Sequence, residues 1–89
     1  MNNHLDFAVS MHLARINKNI TSRRLAKDTG IDRQHILDID KARAVPNAPT
    51  LHKLCEALEL DSVEMLNKMM LMMNYYETKG IEMGSDYIP

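Results

Sequence analysis

The spacing of the apolar residues constrains the fold more than any other feature of the chain. They recur at intervals of three and four, and no segment alternates polar with apolar residues over the length of a strand. This pattern is typical of amphipathic helices. A first helix is predicted before Asn17-Lys18-Asn19, with an apolar face at Leu5, Ala8, Val9, His12, Leu13 and Ile16. His12 on this face is interpreted as a partly buried packing residue.

Three further helix starts share one pattern, a polar cap residue flanked by two apolar residues that can pack together across it. The caps are Thr21, Asp32 and Asp61, and the apolar pairs are Ile20 with Leu25, Ile31 with Ile36, and Leu60 with Met65. Gly30 suits the left-handed turn that ends a helix. Pro49 belongs in the first turn of a fourth helix, whose core face is Leu51, Leu54, Cys55 and Leu58. We therefore predict an all-α fold of five helices.

Length and composition indicate one globular domain, because the chain has 89 residues and 45% of them are hydrophobic. No run of about 18 apolar residues predicts a membrane span, and the first residues lack the features of a signal peptide. The lone Cys55 lies at an apolar helical position, which favours a buried thiol and a reducing cytoplasm. The histidines His4, His12 and His35 lack metal-ligand spacing. The three glycines form no phosphate-binding loop, so no enzyme activity, cofactor or metal is expected.

The net charge of −1 hides an uneven distribution. Residues 15–53 carry nine basic and four acidic side chains, a net charge of +5, whereas residues 54–89 carry two basic and seven acidic ones. A basic block joined to an acidic one indicates a surface for a polyanion and a second surface with another role. Two ordinary solvated faces are the alternative.

The stretch from Thr21 to Lys41 predicts two short helices that cross steeply. Ala26 is small enough for the second helix to pack on it, and Gly30 makes the turn. The wedge between the helices is filled by Leu25, Ile31, Ile36 and Ile39. This leaves a polar outer face near the start of the second helix, with Arg33, Gln34, His35 and Asp38. Such a helix suits the DNA major groove, where Arg and Gln make paired hydrogen bonds to base edges.

This stretch, the linker Ile39–Pro46 and the fourth helix Thr50–Leu60 resemble the lambda-repressor-like family of Cro and phage-repressor regulators, also called the xenobiotic-response-element type. The resemblance covers roughly residues 8–66. It implies a five-helix domain with a helix-turn-helix at helices two and three. It also implies a dimeric repressor of a palindromic operator in double-stranded DNA, of the kind found in phages, plasmids and mobile elements.

The resemblance assigns the DNA contacts as well. Arg33 and Gln34 stand at base-reading positions, followed by His35, which can also point along the backbone, and Asp38, which can also serve solubility. The candidate contacts with the DNA backbone are Lys18, Ser22, Arg23, Arg24, Lys41 and Arg43. Ser22 replaces a Gln that touches a phosphate in many members, and Ala42 replaces the usual Gly. A solvated face that only attracts phosphates is the alternative reading of this surface.

Helix five, at about residues 62–77, is apolar on nearly all sides. One stripe, Leu66, Met69, Met70 and Met73, is expected to cover the domain's own core. A helix that is apolar all round must be buried all round, so a partner is expected on the rest. The sparsest assumption is a homodimer, with an interface at Met65, Met69, Met72, Met73, Tyr75 and Tyr76. The alternatives are a peptide or helix of another protein, because methionine adapts its shape, or a small apolar ligand.

The chain is thus divided into a DNA-binding domain at residues 1–76 and a tail at 78–89. The tail is either flexible or an arm that reaches a partner subunit through Ile81, Met83, Tyr87 and Ile88. A different class of function stays open as well. In it the chain is a protein-interaction module, such as an antitoxin or a regulator bound by an antirepressor, that uses the Met-rich helix to bind a regulatory protein.

Overall fold

Five helices make up most of the computed structural model, which describes residues 3–80 and 84–85. They are α1 (Asp6–Asn17), α2 (Ser22–Thr29), α3 (Arg33–Asp40), α4 (Ala48–Leu58) and α5 (Ser62–Lys79). In the loop after α3, β1 (Ala44–Val45) pairs in parallel with β2 (Gly84–Ser85). The helices confirm the predicted all-α fold, to which the described residues add this two-residue pairing. The tail residues Ile81, Met83, Tyr87 and Ile88 lie outside the described part of the chain.

Two of the three predicted cap residues, Thr21 and Asp61, accept the expected hydrogen bonds at the helix starts. The Thr21 hydroxyl accepts a hydrogen bond of 3.0 Å from the Arg24 N–H, and Asp61 accepts one of 2.9 Å from the Val63 N–H. Gly30 ends α2 with a φ of 75°, a left-handed conformation that only glycine adopts without steric cost. Asp32 stands at the cap position of α3, but its side chain makes no capping hydrogen bond.

The core lies where the five helices meet, with α1 against α3 and α5, and α4 against α2 and α5. Its buried members are Phe7, Met11, Leu25, Ile36, Ile39, Leu51, Leu54, Cys55, Leu58, Met65, Met69 and Met72, joined by Ala44 and Val45 of the loop. The predicted core face of α4 and the wedge between α2 and α3 are confirmed. Within that wedge Leu25, Ile36 and Ile39 are buried, while Ile31 is half-buried and, like Ala26, packs against the core.

The predicted apolar face of α1 was wrong as an inward face. Leu5, Val9, Leu13 and Ile16 are 40–51% exposed, and His12 is exposed as well. Of the predicted face Ala8 is buried, and the rest of the buried side is formed by Phe7 and Met11. The helix is thus rotated about its axis relative to the prediction. The reason is Arg15, which points inward and pairs with Asp40 of α3 at 2.8 Å. Since α1 has an apolar stripe on each side, spacing alone does not decide which one is buried.

The stripe of α5 that was predicted to face the core was also wrong in part. Met69 of that stripe is buried as expected and Met73 is half-buried, but Leu66 and Met70 are 39% and 57% exposed, and Met65 and Met72 are buried in the core instead. Met65, Met69 and Met72 were also assigned to a dimer interface, but side chains buried within their own chain offer no surface to a second copy. Of the other residues assigned there, Met73, Tyr75 and Tyr76 are half-buried. The reason is that α5 packs between α1 and α4, which selects a stripe rotated from the one predicted.

No helix in the described part of the chain is both long and apolar enough to cross a membrane.

Candidate nucleic-acid interface

The pair α2 and α3 is held in a fixed relation by its turn and its buried side. Thr29 spans the turn: its hydroxyl donates to the Leu25 carbonyl at 2.7 Å and accepts from the Ile31 N–H at 3.2 Å. Ile36 and Ile39 of α3 are each 2% exposed. Because these residues anchor one side of α3, the first turn of its opposite side faces solvent, where Arg33 and Gln34 are exposed.

Arg33 is tied to the first residue of α2. Its Nε donates to the Ser22 hydroxyl at 3.2 Å, and Ser22 is 8% exposed. That bond leaves the two Nη groups of Arg33, which form the fork that matches a guanine edge or a phosphate. Ser22 therefore positions Arg33 in this structure, and its burial leaves little of it to touch a phosphate directly.

Gln34 is also oriented by a neighbour, because its Nε2 donates to an Asp38 carboxylate oxygen at 3.1 Å, one turn further along α3. Asp38 is half-buried, as is His35. Less of the His35 ring is therefore open to a groove than of the Arg33 and Gln34 side chains. The structure thus presents two of the four predicted base-reading residues fully and two in part.

The predicted backbone contacts fall into two groups. Arg23, Arg24, Lys41 and Arg43 are exposed, and the first two lie on α2 while the others follow α3. Of these four, Arg24 donates through Nε to Asp28 at 3.0 Å, one turn further along α2. Lys18 is matched locally, since its Nζ lies 2.9 Å from a Glu59 carboxylate oxygen. This hydrogen bond and charge lower the pKa of Glu59. Lys18 is therefore the weaker candidate for a phosphate.

The loop after α3 carries Arg43 in a defined turn. The Arg43 N–H donates to the Asp38 carbonyl at 2.8 Å, and Ala42 has a φ of 59°. Ala42 thus takes the left-handed conformation that glycine adopts most readily. This backbone turn places Arg43 beside the end of α3.

Sequence reasoning missed a residue that orients α3. Arg15 donates through Nη2 to Asp40 at 2.8 Å and through Nη1 to the Ile20 carbonyl at 3.1 Å. The Arg15 and Asp40 side chains are only 13% and 11% exposed. The pair fastens the last residue of α3 to α1 and to the turn before α2. No local pattern marks it, because the partners lie 25 residues apart.

The described residues contain no group of three His, Cys, Asp or Glu side chains placed to hold a metal ion. Cys55 is buried. Burial, and to a lesser degree the charge of Asp61, raises the pKa of its thiol. Both causes disfavour the thiolate, which is the reactive form of cysteine.

A family model described as a helix-turn-helix domain matches residues 12–77, from within α1 nearly to the end of α5. A search of curated proteins finds no match.

Proposed function

Because the chain belongs to the helix-turn-helix domain family, we propose that it is a cytoplasmic transcriptional regulator that reads a palindromic operator as a symmetric dimer. The observation that carries this proposal is the solvent-facing first turn of α3. There Arg33 and Gln34 are exposed and are held by Ser22 and Asp38 respectively. Side chains oriented before binding lose less conformational entropy when they contact bases.

In the proposed complex, α3 lies in the major groove. The Arg33 fork contacts a guanine edge, and Gln34 contacts a neighbouring base through its amide. Arg23, Arg24, Lys41 and Arg43 surround α3 in the chain and bind phosphates, which set the register but carry no sequence information. Ser22 acts through Arg33 rather than on the DNA.

A dimer is part of the proposal because α3 has eight residues. At about 1.5 Å per residue such a helix reaches few base pairs, so useful discrimination needs a second copy at a second half-site. The interface that the structure supports is the α5 patch, defined as Val63, Leu66 and Met70, which are 66%, 39% and 57% exposed. Val63 and Leu66 border an open groove of about 210 Å³ against α4. This patch replaces the buried methionines of the sequence-based prediction.

The dimer is tested by charging the α5 patch with Leu66→Glu and Met70→Glu. Both side chains face solvent, so the helical circular-dichroism signal should stay unchanged while low-micromolar protein sediments as a monomer. Asn67→Glu, an exposed change on the same helix, is the matched control and should remain dimeric. A dimeric double variant places the interface elsewhere.

Repression is the direction that the resemblance to Cro and phage repressors supports, since a regulator bound over a promoter excludes polymerase. The same resemblance supports control of a phage, plasmid or mobile element.

The second candidate function is a protein-interaction module, and one observation favours it. Among the described residues, the large apolar side chains that are exposed lie at the start of α1, on α1 and on α5, away from α2 and α3: Leu5, Val9, Leu13, Ile16, Val63, Leu66, Met70 and Leu71. A regulatory protein bound at α5 would cover some of them. A failure to select any DNA motif would favour this module. Tight capture of a partner that survives Leu66→Glu with Met70→Glu would count against a partner bound at α5.

A further inference from the structure

Three helices end in the same kind of left-handed turn. The turns follow α1, α3 and α4, and their left-handed residues have φ values of 57°, 59° and 56° respectively: Asn19, Ala42 and Glu59. In each turn the N–H of the next residue donates back to a carbonyl of the helix: from Ile20 to Arg15 at 3.0 Å, from Arg43 to Asp38 at 2.8 Å and from Leu60 to Cys55 at 2.8 Å. The three turns can therefore be compared position by position.

The turn after α3 lacks an apolar anchor that the other two possess. Ile20 and Leu60 are partly buried and pack against the core, which is the apolar contact that often accompanies this kind of helix end. Arg43 occupies the same position after α3, and its side chain is exposed. A non-glycine residue keeps a left-handed conformation only where its surroundings hold it there. Ala42 therefore needs a support that differs from the one at the other two turns.

The pairing of β1 with β2 lies where that support is needed. β1 begins directly after Arg43, and its residues Ala44 and Val45 are each 3% exposed. In the parallel pairing Ala44 lies opposite Gly84, and Val45 lies opposite Ser85. Within the described part of the chain, β2 is the one strand paired with β1. Arg43 is thus held between its bond to α3 on one side and this strand pairing on the other.

We propose that β2 is a positioning element for Arg43. By fixing β1, it keeps Ala42 in the left-handed turn, and this turn sets the direction in which Arg43 leaves α3. The role rests on the proposed function, in which Arg43 binds a phosphate. β2 itself touches no DNA in this arrangement, and neither Gly84 nor Ser85 carries a charge that would attract a phosphate.

The size of the effect follows from the left-handed turn. Without β2, Ala42 is free to leave a conformation that costs an L-residue about 1–2 kcal/mol. DNA must then restore the turn before Arg43 reaches its phosphate. At about 1.4 kcal/mol per tenfold, the lower value corresponds to a roughly fivefold loss of affinity. The loss should be alike on all sequences, because phosphate contacts carry no sequence information.

Amide hydrogen exchange of the free protein tests the support without DNA. Gly84→Pro with Ser85→Pro removes both N–H groups of β2, and proline disrupts a paired strand. The Arg43 N–H should then exchange about fivefold faster, because its bond to Asp38 belongs to the loosened turn. The Leu60 N–H makes the matching bond after α4, and its exchange should be unchanged.

Gly84→Ala with Ser85→Ala is the matched control, since it keeps both N–H groups of β2 and should leave both exchange rates as they are. Arg43 exchange that the proline pair leaves unchanged overturns the positioning role. So does Arg43 exchange that rises no more than Leu60 exchange, because the turn after α4 has no strand pairing to lose.

Fluorescence anisotropy with a selected operator tests the consequence for DNA. The proline pair should weaken binding roughly fivefold, but less than about twofold in an Arg43→Ala background. Ala42→Gly should reduce the loss in the same way, because glycine adopts the left-handed turn without strain. A loss that persists in the Arg43→Ala background would show that β2 contacts DNA itself and would overturn the positioning role. The exchange rates decide that role in the free protein, so a chain that binds no DNA contradicts the proposed function alone.

Discussion

Replacing Ser22 with alanine tests whether the base-reading fork is oriented by α2 or stands alone. The change removes the hydroxyl that accepts from Arg33 Nε at 3.2 Å and leaves the rest of the first turn of α2 in place. Freed from this bond, Arg33 must be ordered by the DNA itself. Ordering one long side chain on binding costs about 0.5–1.5 kcal/mol, which corresponds to an affinity loss of roughly 2- to 12-fold.

Fluorescence anisotropy with a selected operator and with an unrelated duplex measures this effect. The loss should appear on the operator and be nearly absent on the unrelated DNA, because only the specific complex uses the oriented fork. In an Arg33→Ala background, Ser22→Ala should have no further effect. Equal losses on both duplexes, or an undiminished loss in the Arg33→Ala background, would show that Ser22 contacts phosphate directly and would refute its positioning role.

Three further outcomes follow from the same contacts. Arg43→Ala should weaken binding alike on all sequences and reduce the log–log salt slope by about 0.9; a changed base preference in the selected motif would contradict its assignment to phosphate. Gly30→Ala should lower the unfolding free energy by about 1–2 kcal/mol, because a left-handed φ of 75° is strained for alanine even though its Cβ would meet no atom within 4 Å. An unchanged urea midpoint would exclude that strain. Asp40→Ala should cost about 3 kcal/mol in urea unfolding because it leaves Arg15 largely buried without its carboxylate, and a loss below 1 kcal/mol would show that the pair holds α3 only weakly.

The elements that sequence alone located are those whose causes are local. The Thr21 hydroxyl caps α2 by accepting from the N–H of Arg24, only three residues further along the chain. Gly30 ends α2 through its own backbone conformation. The apolar residues of α4 mark a single face of the helix, so its core face was predicted correctly. The exposure of Arg33 and Gln34 followed from the same reasoning, because the wedge residues of α3 fix which side is left over.

The faces of α1 and α5 were mispredicted for the opposite reason. Each helix has two apolar stripes, and the choice between them is made by neighbours distant in sequence. The pair of Arg15 with Asp40 decides which face of α1 is buried, and packing between α1 and α4 decides it for α5. The link from Ser22 to Arg33 spans 11 residues and joins two helices, so its positioning role became visible only once their crossing was known.

Selection from random duplexes with the purified protein tests the central claim, that α3 reads a palindrome as part of a dimer, most directly. The unmodified chain should enrich a palindromic motif whose half-sites are centred about 10–10.5 base pairs, one helical turn, or a multiple of that spacing apart. Arg33→Ala and Gln34→Ala should each flatten one position in both half-sites, in line with about 1–3 kcal/mol of discrimination per paired contact. No enriched motif, or a motif that both variants leave unchanged, would contradict the account.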